Sequence, residues 1–122
     1  MRGSKIQEPV KFTLYQNYPN PFNLTTKIKF SLPLPSKGGA MEVTLKIYDV
    51  LGRVVASLIP PLWGGQEGLT PGTYEVEWNG TNYTSGVYFY KLETRDPVQR
   101  TPYGETSSGF VFSETKKMVL IK

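Results

Sequence analysis

The chain has 122 residues, a formal net charge of +4, and neither cysteine nor histidine. A chain of this length forms one domain that removes roughly two-thirds of its unfolded surface from water, so it can fold without a covalent cross-link. The missing cysteines exclude disulfides and thiolate metal sites, and the missing histidines remove the usual general base near neutral pH and the commonest metal ligand.

Short runs rich in Val, Ile, Thr, Tyr and Phe alternate with turns throughout the chain, which contains 12 glycines and 10 prolines. This pattern is typical of an all-β domain, and helical periodicity is absent. Seven short strands predict an immunoglobulin-like antiparallel β-sandwich. In chain order the predicted strands are 11–16, 26–32, 41–49, 53–59, 73–79, 86–95 and 115–121, with a short extra piece at 110–113.

Alternation within the strands assigns one face of each to the core and the other to water. Trp78 is expected to be the largest core side chain. The run Val87–Tyr90 is apolar on both faces, so its strand is expected to lie centrally or beneath a covering loop. The predicted inward residues are Ile28, Phe30 and Leu32 in the second strand, Val43, Leu45 and Ile47 in the third, and Tyr74, Val76 and Trp78 in the fifth.

The turns have local causes in the sequence. Asp49 and Gly52 lie between two predicted strands and suit an Asx-type turn and a positive φ respectively. Asn79-Gly80 is a favoured turn dipeptide that ends the fifth strand, and Ser85-Gly86 opens the sixth.

The segment Asn17–Asn23 cannot be a regular strand, because Pro19 and Pro21 each fix φ and remove a hydrogen-bond donor. We expect it to form a stiff, kinked cover. In the structural interpretation Tyr18 and Phe22 plug one end of the sandwich while the asparagines cap backbone groups. In the functional interpretation this rigid surface is part of what a partner recognises.

The last residues of the chain also form a predicted strand. Met118 and Leu120 fall on one face, and Lys117, Val119 and Ile121 fall on the other. In the structural interpretation this is an ordinary strand of the sandwich with residues on both faces. Its lysines disfavour pairing of a sheet edge with another chain. As a recognition signal, a strand at the end of the chain can detach from its sheet or pair with the edge of a partner's sheet. Both roles can hold at once.

Four motifs occur in a fixed order, namely Leu14–Asn23, Tyr48–Arg53, Ser85–Leu92 and Thr115–Lys122. Together they resemble the type A C-terminal sorting domain of the Bacteroidetes-type (type IX) secretion system, and the resemblance covers nearly the whole chain from Leu14 to Lys122. It implies the same sandwich fold and a non-catalytic sorting signal that directs a larger, upstream-fused cargo protein across the outer membrane. The implied partners are the outer-membrane translocon and a sortase-like peptidase that removes the domain. The implied location is the periplasm in transit, followed by the cell surface or secretion.

The resemblance also suggests which residues the translocon recognises. No catalytic, cofactor-binding or metal-ligating residue is predicted, because the sequence has no nucleophile elbow, phosphate loop or metal-binding spacing. The residues predicted for translocon recognition are Pro19, Asn20, Pro21 and Phe22 in the first motif, Gly86, Val87 and Tyr88 in the third, and Lys116, Lys117, Val119, Leu120, Ile121 and Lys122 in the last.

The predicted domain organisation is simple. Residues 1–4 resemble an expression leader, residues 5–13 are read as a linker and the start of the first strand, and residues 14–122 form the sorting domain. The basic residues are scattered instead of clustered, which argues against nucleic-acid binding. The domain is expected to be a monomer or weak dimer.

Two other classes of function stay open at this point. The strand at Ser85–Tyr90 and the turn at Trp78–Gly80 also resemble the immunoglobulin-like domain of flagellar hook-capping proteins, where the fold is a structural and assembly unit. Trp63 and Tyr103, in the long loops 59–72 and 96–109, would suit sugar stacking as in carbohydrate-binding modules. The alternative for these loops is that they fold over the open edges of the sandwich.

Overall fold

The structure is a computed structural model that describes residues 11–33, 42–59, 69, 71–95, 99–100, 106–107 and 110–122. None of these ranges contains a helix long and apolar enough to cross a membrane. Every element in them is a β-strand. The strands are β1 (Thr13–Leu14), β2 (Thr25–Leu32), β3 (Glu42–Tyr48), β4 (Val54–Ser57), β5 (Gly72–Asn79), β6 (Gly86–Arg95), β7 (Gln99–Arg100), β8 (Thr106–Ser107) and β9 (Phe110–Leu120).

Two antiparallel sheets form the body of the domain. One has the strand order β1-β2-β5, the other has the order β4-β3-β6-β9, and β7 pairs with β8 separately. The longest pairings are β2 with β5, from Thr25 opposite Asn79 to Leu32 opposite Gly72, and β6 with β9. The predicted all-β antiparallel sandwich is confirmed, and its immunoglobulin-like character stays a prediction.

The core lies between the two sheets and follows the predicted alternation. Trp78 is 4% exposed, and Tyr74 and Val76 are half-buried and pack against the core. β6 is central between β3 and β9, as its apolar run predicted. The buried hydrophobic residues of β2 and β3 are the six predicted, namely Ile28, Phe30, Leu32, Val43, Leu45 and Ile47, and β2 also buries the polar residues Thr26 and Ser31.

The strand boundaries differ most from the predicted ones in the first and last strands. The predicted strand 115–121 and the extra piece at 110–113 are one continuous strand, β9, because polar residues such as Ser113 and Glu114 belong to its ladder with β6. The first strand is short, since regular pairing with β2 covers only Thr13 and Leu14. The short pair β7 and β8 was not predicted, because a two-residue strand carries no alternation.

The turn between β3 and β4 confirms the prediction made from Asp49 and Gly52. Asp49 Oδ1 accepts hydrogen bonds from the amides of Leu51 (2.9 Å) and Arg53 (3.0 Å), and Gly52 has a φ of 83°. The Arg53 amide chiefly, helped by its guanidinium and the Leu51 amide, holds the pKa of Asp49 below its usual value. A charged carboxylate therefore fixes this turn.

Candidate functional site

The end of β9 lies between the two other segments that the sequence analysis singled out. On one edge it pairs with the beginning of β6, where Leu120 is opposite Gly86 and Val119 is opposite Val87. On its other edge Leu120 forms a parallel bridge with Phe22. Three motifs that are far apart in sequence therefore meet at one place on the domain.

The first motif, Leu14–Asn23, is called the proline segment below, and its Tyr18–Pro19 and Asn20–Pro21 peptide bonds are cis. Residues of this segment pair with the outer edge of β9 at the end of that strand. We call this set of contacts the terminal seam. It consists of hydrogen bonds from Gln16 Nε2 to the Lys117 carbonyl (2.8 Å), from the Val119 amide to Asn20 Oδ1 (3.0 Å), from the Phe22 amide to the Val119 carbonyl (2.9 Å), and from the Ile121 amide to the Phe22 carbonyl (2.8 Å).

Burial divides the predicted recognition residues into three groups. Phe22, Tyr88 and Leu120 are at most 6% exposed, so on the folded domain they hold the seam together and do not face a partner. The side chains that face solvent are those of Pro19, Asn20, Pro21, Lys117, Ile121 and Lys122, while Gly86, Val87, Lys116 and Val119 are half-buried.

The prediction that Tyr18 and Phe22 both plug the sandwich is right for Phe22 and wrong for Tyr18. The Phe22 ring packs against Trp78, with 5.8 Å between ring centroids. Tyr18 is 81% exposed. Its amide and carbonyl both bond to the backbone of Lys27, so its side chain shares the solvent face of Lys27.

The predicted capping role of the asparagines is confirmed at two positions. Asn20 Oδ1 accepts the Val119 amide within the terminal seam. Asn17 is 2% exposed, and its Nδ2 donates to the carbonyl of Pro19 (3.1 Å). The segment is therefore held by specific polar contacts as well as by its prolines.

Behind the seam lies a buried polar contact that the sequence analysis missed. The Tyr90 hydroxyl donates to the Tyr15 carbonyl (2.7 Å) and accepts the Asn17 amide (2.8 Å), and Tyr90 is fully buried. Burial raises the pKa of Tyr90 to about 12, an effect that the Asn17 amide opposes and Glu114 reinforces. A tyrosine at an inward strand position was the only signal available, since its partners lie 75 and 73 residues away.

The raised pKa of Tyr90 predicts a loss of stability at high pH. The folded state holds the phenol proton more tightly than the unfolded state, whose pKa is about 10, so the contribution is complete below about pH 10 and lost toward about pH 12. We expect the difference in free energy of unfolding between the wild type and Tyr90→Phe to be constant from pH 7 to 9 and to shrink above pH 10. Urea unfolding across this range tests it, and a difference that grows with pH would contradict it.

The loop before β6 contributes further contacts that were not predicted. The Lys122 amide donates to Ser85 Oγ (3.0 Å), and Lys122 Nζ donates to the carbonyl of Thr81 (2.5 Å). A Cβ on Gly80 would lie 3.0 Å from Leu120 Cδ2. Gly80 therefore allows the loop to approach the terminal strand closely, and the loop in turn holds Lys122.

The chemistry of this surface suits binding. Its exposed side chains are amides, aliphatic groups, prolines and lysines, and among the described residues no three acidic, His or Cys side chains are grouped to hold a metal ion. The sugar-stacking prediction concerned Trp63 and Tyr103, which lie outside the described residues. The leader and linker predicted at 1–4 and 5–13 also lie largely outside them.

The fold and this surface define an all-β domain whose proline segment and last strand form one accessible patch. The family described as the secretion system C-terminal sorting domain matches the chain over residues 16–101, more than half of its length. The chain belongs to this family and is a C-terminal sorting signal for type IX secretion. The match includes the proline segment and β6 and ends before β9.

Membership of this family defines what the domain does in general terms. It is the C-terminal signal that the type IX system recognises on a cargo protein, and it leads to export to the cell surface or secretion. Neither the curated proteins nor the solved structures contain a match to the chain. Nothing in these comparisons favours the structural or carbohydrate-binding alternatives.

Proposed function

We propose that the outer-membrane translocon of the type IX system recognises this domain in its folded state and binds it at the terminal seam. The observation that supports this most directly is the convergence of the three motifs. The proline segment, the beginning of β6 and the end of β9 are separated in sequence, and the fold brings them into one surface. A partner that contacts this surface would contact all three.

The chemistry of the seam indicates what kind of partner surface fits it. Ile121 is 52% exposed, and Pro21 is exposed as well, so the surface has an apolar component. Lys117 and Lys122 are exposed and give it a positive rim. An apolar depression surrounded by acidic groups would complement this arrangement.

The remaining parts of the proposal follow from the same contacts. The seam pairs the outward backbone groups at the end of β9, which disfavours edge-to-edge association and supports a monomer or weak dimer. Lys91 Nζ lies 2.9 Å from Glu93 Oε2, and Lys116 Nζ lies 3.3 Å from Glu114 Oε2. Because a carboxylate beside each of these lysines offsets its charge, they do not favour binding of nucleic acid. The domain itself is non-catalytic. It passes through the periplasm with its cargo, and a sortase-like peptidase then removes it.

Substitutions of the exposed seam residues test where the translocon binds. In residues 5–122 fused behind a signal peptide and a reporter, in a bacterium with the type IX system, we expect Ile121→Gln combined with Lys117→Gln to reduce surface delivery about tenfold, the effect of losing about 1.4 kcal/mol of binding. The reporter should accumulate in the periplasm. Both side chains are exposed, so the free energy of unfolding should change by less than about 0.5 kcal/mol.

A matched double variant makes the result specific. Leu51 is 73% exposed on the β3–β4 turn, and Lys11 is exposed just before β1. Leu51→Gln combined with Lys11→Gln therefore removes the same kinds of side chain away from the seam and should leave delivery unchanged. Equal delivery of the two double variants would refute recognition at the seam.

A further inference from the structure

We infer that Asn17, Thr26 and Tyr90 are positioning residues that hold the proline segment in the geometry the seam requires. This inference rests on the proposed function, because it concerns the same surface. The three side chains are 2%, 1% and 0% exposed respectively, so none of them can touch a partner of the folded domain. Their effect on recognition has to pass through the residues they hold.

The three side chains fix the backbone at every second residue. The Tyr90 hydroxyl binds the Tyr15 carbonyl and the Asn17 amide. The Thr26 hydroxyl donates to the Pro19 carbonyl (2.8 Å) and accepts from Asn17 Nδ2 (2.9 Å). The backbone groups of positions 15, 17 and 19 therefore bond inward, although the side chains of Tyr15 and Pro19 are exposed. The seam contacts come from positions 16, 20 and 22 of the same segment.

Two links join this buried network to β9, one through Gln16 and one through Asn20. Gln16 Nε2 donates both to Asn17 Oδ1 (2.7 Å) and to the Lys117 carbonyl (2.8 Å), so one carboxamide joins the network to the terminal strand. Pro19, whose carbonyl accepts two network hydrogen bonds, directly precedes Asn20. Because hydrogen bonds weaken steeply as distance and angle depart from their optima, a shift of Pro19 loosens the Asn20 contact with β9.

The identity of these residues supports positioning over simple filling of the core. Burying amide and hydroxyl groups costs free energy unless every one is paired, and apolar side chains of similar volume would fill the space without that cost. A fully paired polar network instead defines one arrangement of the groups it joins. Here those groups are the backbone atoms of the proline segment.

Amide hydrogen exchange separates positioning from a general contribution to stability. The test variant is Thr26→Val, which keeps the side-chain shape and removes the hydroxyl. Thr26→Ser is a control that keeps the hydroxyl. Ile47→Val is a second control that removes one methylene from a fully buried position on β3. We expect Thr26→Val to speed exchange at the Val119 and Ile121 amides at least about tenfold relative to amides between β3 and β6. Thr26→Ser should exchange like the wild type, and Ile47→Val should show no preference for the seam.

A second variant keeps the test decisive if Thr26→Val folds poorly. Tyr90→Phe retains the ring and removes both hydroxyl contacts, so it should open the same two amides selectively. If both Thr26→Val and Tyr90→Phe accelerate exchange uniformly, as Ile47→Val does, the network is structural only and the positioning inference is overturned.

Delivery of the reporter provides the functional readout. We expect Thr26→Val to lower surface delivery several-fold while Thr26→Ser and Ile47→Val deliver normally. Normal delivery by a variant whose seam opens selectively would overturn the link between this network and recognition. Failure of the proposed function is separately visible, since in that case the Ile121→Gln and Lys117→Gln double variant, which leaves the network intact, also delivers normally.

Discussion

Replacing Trp78 by Ala is expected to lower the free energy of unfolding by about 3–5 kcal/mol, the usual cost of truncating a large buried aromatic side chain. Trp78 is 4% exposed. The centroid of its ring lies 5.2 to 5.8 Å from the ring centroids of Tyr83, Tyr88 and Phe22. The cavity left by the indole would be lined by these rings, which are themselves fixed by backbone contacts. The free energy of unfolding of an ordinary domain is about 5–15 kcal/mol, so this loss should leave the variant close to unfolding.

Urea unfolding followed by far-ultraviolet circular dichroism measures this loss. Trp78→Phe serves as the control, because it keeps an aromatic ring against the same neighbours and should lose less than half as much. A loss below about 1 kcal/mol for Trp78→Ala would show that the indole is not part of the core.

Replacing Phe22 by Ala is also expected to cost about 3–5 kcal/mol, for a partly different reason. Phe22 is 1% exposed, and its backbone contacts both Val119 and Ile121. Its ring holds those two hydrogen bonds in place by packing against Trp78. Losing the ring therefore removes core contacts and releases the end of β9 together.

Tyr18 provides the matched control for Phe22, since both are aromatic residues of the same proline segment. Because Tyr18 is 81% exposed, Tyr18→Ala should change the free energy of unfolding by less than about 0.5 kcal/mol. Thermal and urea unfolding of both variants measures the contrast. Losses of similar size would mean that Phe22 is not the residue that closes this end of the sandwich.

The sequence predicts best the features that depend on neighbouring residues. Strand faces alternate with a period of two, so Ile28, Phe30 and Leu32 could be assigned to the core before the fold was known. The Asp49 turn was likewise predictable, because its hydrogen bonds reach only two and four residues along the chain. In these cases the residue types and their spacing are sufficient.

The features that could not be predicted depend on contacts between distant or irregular segments. The side of the sheet on which Tyr18 lies depends on its pairing with Lys27 after an irregular stretch, where alternation gives no guide. Tyr90 faces the core as an ordinary strand residue would, and nothing local shows that its hydroxyl binds Tyr15 and Asn17. The proline segment and β9 were both singled out, but their pairing leaves no periodic trace in either one.

The hydrogen bond from Gln16 to Lys117 joins residues that are 101 positions apart, and this has a consequence for the order of events during folding. Closing a loop of this length costs more conformational entropy than closing a short one, so contacts of such long sequence separation form slowly. A chain that emerges with its N-terminal side first displays the proline segment well before β9 exists to receive it. The terminal seam therefore exists only once β9 has been added to its sheet. A partner that binds the seam would distinguish a folded domain from a partly folded one, which it could not do from either segment alone.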